Sequence, residues 1–223
     1  MALAQLAVFV RPPVAGEVKT RLSGTFGERG AADLYRAFAQ DTLRLCARVR
    51  AAGRVDVALW SAGPADEAVS AWAEQLDVPV RPQSKGDLGA RLSAAFDEGL
   101  HSHERVVVIG SDAPTLPITL IGRAFEALED ASLVIGPAND GGYYAIGAGR
   151  AGRPSFAGVR WSTPHALQDT LDANRQESFA IIPPWYDIDD PTDLGVLRAH
   201  LSFDPTVAPA TAAQLGALAD AQR

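Results

Sequence analysis

The feature that most constrains this chain is a repeated switch of hydrophobic period. Short apolar runs alternate with longer stretches whose apolar residues recur at helical spacing. The sharpest run is Val106–Ile109, four consecutive β-branched residues between Arg105 and Gly110. Such a run suits a strand buried on both faces. Leu6–Val10, Val55–Trp60, Val78–Arg81, Leu133–Gly136, Tyr143–Ile146 and Ala180–Ile182 read as further strands. Glu28–Arg50, Ala65–Leu76, Leu88–Leu100, Leu120–Leu128, Thr163–Ala173 and Pro191–His200 read as helices. Ser162 or Thr163 is the expected N-cap of the fifth helix, and Pro191 sits in the expected first turn of the last. This alternation predicts an α/β fold, a mainly parallel sheet with helices on both faces. The segment 143–182 breaks the alternation, so the sheet is expected to be mixed there.

A chain of 223 residues fits one large α/β domain with a full core. That domain is expected over residues 1–201. Residues 202–223, rich in alanine, proline and threonine, are expected to form a tail with a short helix near Ala212–Ala221, or to fray. The net charge of -7 argues against nucleic acid and anionic membranes as partners. It leaves room for a small anion held by a local basic pocket or a metal. Cys46 is the only cysteine, which excludes an internal disulfide and suits a reducing compartment; its apolar helical setting predicts a buried thiol. Residues Met1–Val10 lack a basic start, and Arg11-Pro12-Pro13 cut the apolar run short. Neither a signal peptide nor a membrane span is expected, and the protein is expected to be cytoplasmic. His101, His103, His165 and His200 are dispersed and read as surface residues. A homodimer is compatible with the sequence.

The chemistry concentrates where the strands end. In open α/β sheets ligands bind beyond the carboxyl ends of the strands. The segments there are RPPVAGEVKTRL (11–22), RPQSKGDLGARL (81–92), GSDAPTLP (110–117), GPANDGGYY (136–144) and DIDDPTDL (187–194). Together they supply cations, glycines and carboxylates, the makings of a metal–phosphate site. The only lysines, Lys19 and Lys85, both lie in these segments, and lysine acts on phosphate as a compact point charge. Arg11, Lys19, Arg21, Lys85, Gly86 and Asp87 are therefore candidate phosphate or nucleotide contacts, Lys19 also a catalytic one. Val18 before Lys19 rules out a Walker P-loop. Asp112, directly after the strongest strand, is placed to hold Mg²⁺ or Mn²⁺, or else caps the next helix. Asp190 has an ordinary explanation as the N-cap of the last helix, and Asp193 as an acid in its first turn, where the dipole favours it. Asp187 and Asp189 do not, so Asp189 is the expected second ligand, with Asp187 as its rival. Asp140, Gly141, Gly142 and Tyr143 form either a binding loop for sugar or acceptor, or a plain tight turn.

Taken in order, FVRPPVAGEVKTRL, QSKGDLGARL, IGSDAPTLP, GPANDGGYYAIG, RWSTPHALQDTL and YDIDDPTDL resemble a family of small bacterial proteins. That family is grouped as nucleotide-diphospho-sugar transferase-like, with the GT-A fold, and includes members named for arsenosugar biosynthesis. The resemblance runs from about Leu6 to Leu201. The wider superfamily includes guanylyltransferases of molybdenum-cofactor and phospholactate metabolism; the latter are similar in the Lys-Thr-Arg-Leu loop. The resemblance implies that Asp112 and Asp189 hold the metal. The chain departs from the pattern at Asp190, where threonine is usual, and at Arg11, where relatives often carry alanine-lysine. It also lacks the LAGGxSxRMG opening of many nucleotidyltransferases.

The leading expectation is a metal-dependent glycosyltransferase. It would act on a nucleoside diphosphate sugar and a small acceptor, with Asp140 orienting or deprotonating that acceptor. The alternative is a nucleotidyltransferase joining an NTP to a small phosphorylated acceptor with release of pyrophosphate. A third reading, a non-catalytic nucleotide-binding protein, fits the charged and glycine-rich loops less well.

Overall fold

A computed structural model describes residues 3–221. Seven strands form one sheet: β1 (Ala4–Val10), β2 (Val55–Ser61), β3 (Val80–Pro82), β4 (Arg105–Ile109), β5 (Leu133–Pro137), β6 (Tyr143–Gly149) and β7 (Phe179–Ile181). Their order is β3-β2-β1-β4-β6-β5-β7. All pairings are parallel except those of β6, which runs antiparallel to both β4 and β5. The mixed segment thus lies where the strand–helix alternation breaks: β5 and β6 follow each other with no helix between them.

The described residues form seven α-helices: α1 (Ser23–Ala51), α2 (Glu67–Leu76), α3 (Leu88–Ser102), α4 (Ile118–Ala127), α5 (Ala166–Ala173), α6 (Asp193–Phe203) and α7 (Pro209–Ala221). Successive strand residues face opposite sides. Leu6, Val8 and Val10 of β1 pack with Tyr35, Leu43 and Cys46 of α1, Trp72 of α2 and Ile121 of α4. On the other face Ala7 packs with Val106 and Val108 of β4 and with Leu92, Phe96 and Leu100 of α3. A third cluster joins the outer side of α1, through Leu34 and Phe38, to Leu194 and Leu197 of α6 and Leu215 and Leu218 of α7. Cys46 is buried, and burial pushes its thiol up to about 12.

Several boundaries differ from the sequence reading for local reasons. Val78 lies in the turn that closes α2: its N–H donates to Ala73 O, while Asp77 takes a left-handed conformation, the helix-ending turn that gives a trailing carbonyl its partner. Pro191 lies ahead of α6, not in its first turn. Ser162, with φ 58, and Pro164 delay α5 to Ala166, and neither Ser162 nor Thr163 is its N-cap. The tail is a helix longer than expected. The buried Asp41 of α1 accepts from the N–H groups of Ala210 and Thr211, supplying the free donors at the start of α7 with a cap from another element. His103 is buried rather than superficial, bonded to Gly99 O and Asp56. Among the described residues no helix is long and apolar enough to cross a membrane.

Candidate functional site

The strand order reverses between β1 and β4, which lie side by side while the chain proceeds outward from them in opposite directions. The crevice at such a point is where the loops diverge and a ligand fits. Because β6 is antiparallel, its first residues lie at the same sheet edge as the last residues of β4, with Ile109 opposite Ala145. This brings Asp140–Gly142, ahead of β6, to the loops that follow β1 and β4. A parallel bridge from Ala138 to Trp185 and a hydrogen bond from the Ile188 N–H to Asp112 O, 3.0 Å, fasten the 187–189 segment there too. The result is a cavity of about 650 Å³.

Lys19 lines this cavity. It has a left-handed backbone, φ 48, just before the turn Thr20–Leu22. Its Nζ lies 2.5 Å from Asp112 Oδ1 and 2.7 Å from Asp189 Oδ1. The Lys19 side chain is only 5% exposed, while each aspartate is 44% exposed. Burial pulls the ammonium's affinity for its proton down, but the Asp112 and Asp189 charges outweigh burial and the net direction is up. Lys19 therefore stays charged. It stands between the two carboxylates that the sequence reading assigns to a divalent cation.

The second acidic group is Asp140, Asp187 and Asp189, which offer carboxylate oxygens within 4.8 Å of one another. Asp187 is pushed up to about 7 by burial and then by the charges of Asp140, Asp189 and Asp112. Asp189 belongs to both groups. Asp140 also accepts from the Gly142 N–H at 2.8 Å, which shapes its own turn. Asp190 and Asp193 serve the backbone instead: Asp193 Oδ2 accepts from the N–H groups of Asp189 and Asp190, and Asp190 Oδ1 from those of Thr192 and Asp193. These bonds hold the loop that presents Asp189.

Of the remaining candidates, Arg11, Arg21, Gly142 and Tyr143 line the cavity. Lys85, Gly86 and Asp87 do not, although their neighbours Gln83, Leu88 and Arg91 do. Asp87 accepts from the Ala90 N–H and caps α3. Gly141 lies outside the lining. It has φ 86, and a Cβ there would come within 2.3 Å of Pro164 O, so its glycine lets the 140–142 turn pack against the next segment. That segment, Trp161–Pro164, forms a wall that the sequence does not announce beyond the RWSTPH stretch itself, and Tyr35, Ser111, Gln83 and Arg91 are further lining residues of the same kind. For Tyr35 the signal was a hydroxyl on the otherwise apolar face of α1.

The fold has counterparts among known proteins. The chain is 32% identical to the crystal structure of a protein from Desulfovibrio desulfuricans G20, provisionally assigned as a nucleotide-diphospho-sugar transferase. The match has a TM-score of 0.86 and covers 98% of this chain and 97% of that one. It is 27% identical over 187 residues to the 2-phospho-L-lactate guanylyltransferase of Methanothermobacter thermautotrophicus, covering 82% of this chain and 79% of that protein. A nucleotidyl transferase of the same organism shares the fold at 15% identity, with a TM-score of 0.60 over 89% of this chain and 97% of that one. The chain is thus transferase-like in sequence and fold. Residues 42–163 match the family described as "Uncharacterized protein conserved in bacteria (DUF2064)", and the chain belongs to that family.

Proposed function

We propose that the chain is a nucleotidyltransferase that works with a bound divalent cation. The observation that carries this reading is the convergence of Lys19, Asp112, Asp140, Asp187 and Asp189 at the sheet's switch point. A buried ammonium and three clustered carboxylates suit a polyphosphate and a hard cation together. The carboxylates fit Mg²⁺ or Mn²⁺, since all offer oxygen, and Asp187, raised first by burial and then by its acidic neighbours, would be eased by a cation among them. Asp140, Asp187 and Asp189 would hold the cation, with Asp112 beside them. When bound, it neutralises charge developing on the leaving phosphate.

In this reaction a phosphate oxygen of a small acceptor attacks the α-phosphorus of an NTP. The bond from that phosphorus to the bridging oxygen breaks, and pyrophosphate leaves. Arg11, Lys19 and Arg21 bind and orient the phosphates, Lys19 as a fixed positive charge. The similarity to a 2-phospho-L-lactate guanylyltransferase supports nucleotidyl over glycosyl transfer and makes GTP with 2-phospho-L-lactate the first pair to try.

A second reading, glycosyl transfer from a nucleoside diphosphate sugar, is favoured by the 32% identical neighbour. There an acceptor hydroxyl, oriented by Asp140, attacks the anomeric carbon and nucleoside diphosphate leaves. Products separate the two. Purified protein with Mn²⁺ is given each NTP with phosphorylated acid acceptors, and in parallel sugar nucleotides with alcohols. Pyrophosphate from an NTP supports the first reading; free nucleoside diphosphate from a sugar nucleotide replaces it with the second. Turnover of neither overturns both.

A further inference from the structure

A chain of hydroxyls crosses from the core into the cavity wall, and neither the carboxylates nor the loop cations account for it. Tyr35 is 2% exposed, Ser111 2% exposed, and both line the cavity. The backbone N–H of Arg11 donates to Tyr35 Oη at 2.8 Å. Tyr35 Oη lies 2.8 Å from Ser111 Oγ. These are the hydrogen bonds of either hydroxyl among the described residues.

The direction of the second bond follows from counting donors. A phenol has one proton and accepts well once. Tyr35 already accepts from Arg11, so if Ser111 also donated to it, the phenolic proton would be left buried without an acceptor, which is costly. Tyr35 therefore donates to Ser111, and the Ser111 proton is turned away from the core. Burial, and then the charge of Asp112, push the Tyr35 phenol up to about 12, so it keeps the proton it donates. Ser111 sits between Gly110 and Asp112, whose carboxylate pairs with Lys19.

We infer that Ser111 is a phosphate-binding hydroxyl whose proton is aimed into the cavity by Tyr35. Tyr35 is a positioning residue: it acts through Ser111 and needs no contact with the ligand. The inference rests on the transferase reading for its ligand, a phosphate oxygen held beside Lys19. The sequence motif around Asp112 thus contributes a donor as well as an acid, with no change in the cavity's charge.

Inorganic pyrophosphate with Mn²⁺ is the probe, because it carries no base or sugar and serves either transfer reaction. Its dissociation constant is measured by calorimetry for the wild type, Ser111→Ala, Tyr35→Phe and the double variant. Each single change is expected to weaken binding about tenfold, the worth of one charge-assisted hydrogen bond. The double variant is expected to be no weaker than Ser111→Ala, because Tyr35 has nothing left to aim. A phenylalanine that merely loosened the fold would add its loss to that of Ser111→Ala, so additive losses overturn the aiming role. If Tyr35→Phe fails to fold, Ser111→Ala decides alone: unchanged affinity overturns the inference while leaving the transferase reading intact. A wild type that does not bind pyrophosphate overturns both.

Discussion

Replacing Lys19 with methionine keeps most of the side chain's length and removes its charge. Asp112 and Asp189 then face each other across the space the ammonium held, 2.5 and 2.7 Å from their former partner. Stripping one partner from a fully buried ion pair costs about 3–5 kcal/mol, and an exposed pair is worth about 0–1 kcal/mol. Lys19 is 5% exposed and each aspartate 44%, so the site lies between those limits. We expect Lys19→Met to lose about 2–3 kcal/mol in water, reading roughly 4–12 °C lower in melting temperature for a chain of this size. Urea unfolding followed by circular dichroism gives the loss directly. Repeating it with millimolar Mn²⁺ tests the cause, because a divalent cation can take the ammonium's place between the carboxylates. Mn²⁺ should therefore stabilise the variant more than the wild type. A variant within about 0.5 kcal/mol of the wild type, or equal stabilisation of both by Mn²⁺, would refute the claim that Lys19 is the countercharge of this site.

Three further outcomes follow from particular residues. The native state holds the Asp187 proton up to about 7 against about 3.9 in the unfolded chain, so metal-free stability should fall as pH rises through that window; Asp187→Asn should flatten that fall and exceed the wild type by about 1–3 kcal/mol at pH 8, read from urea midpoints. Asp41→Ala should cost about 2 kcal/mol, because it strips the buried cap from Ala210 and Thr211; hydrogen exchange should show α7 opening before the sheet, and unchanged protection would count against the cap. Gly141→Ala should shift tryptophan fluorescence and weaken nucleotide binding, because a Cβ there collides with Pro164 beside Trp161; an unaltered spectrum would mean that the wall is not held by this contact.

Most of the fold was legible because local signals carried it. The β-branched run at Val106–Ile109 became β4, and the missing helix between Ile135 and Tyr143 became the antiparallel β6. Boundaries slipped where a turn overrode periodicity, as at Val78 and Ser162. The convergence of loops was legible too, since strand ends share an edge. The pairing of side chains was not: nothing near Lys19 in sequence says that it will lie between Asp112 and Asp189, the latter 170 positions away. Lys85–Asp87 carry the composition of a phosphate loop, yet a single capping bond from Ala90 to Asp87 accounts for that aspartate outside the cavity. Tyr35 is hard to single out because a tyrosine at helical spacing reads as core, which it also is.

The shared position of Asp189 bears on how such a site would work. It pairs with Lys19 on one side and belongs to the Asp140–Asp187 group on the other. On the proposed reading, a cation entering that group takes negative charge from Asp189 and so weakens its hold on Lys19. The ammonium remains paired with Asp112 and gains freedom to meet phosphate. Cation and phosphate would then favour each other's binding through one carboxylate, and the coupling has to be reciprocal. Asp189→Asn separates this from simple additivity. It should weaken Mn²⁺ alone, should leave pyrophosphate alone as tight or tighter because Lys19 is released, and should abolish the increase in pyrophosphate affinity that Mn²⁺ produces in the wild type. If that increase survives in the variant, the two ligands are coupled by direct contact and Asp189 is only one acid among several.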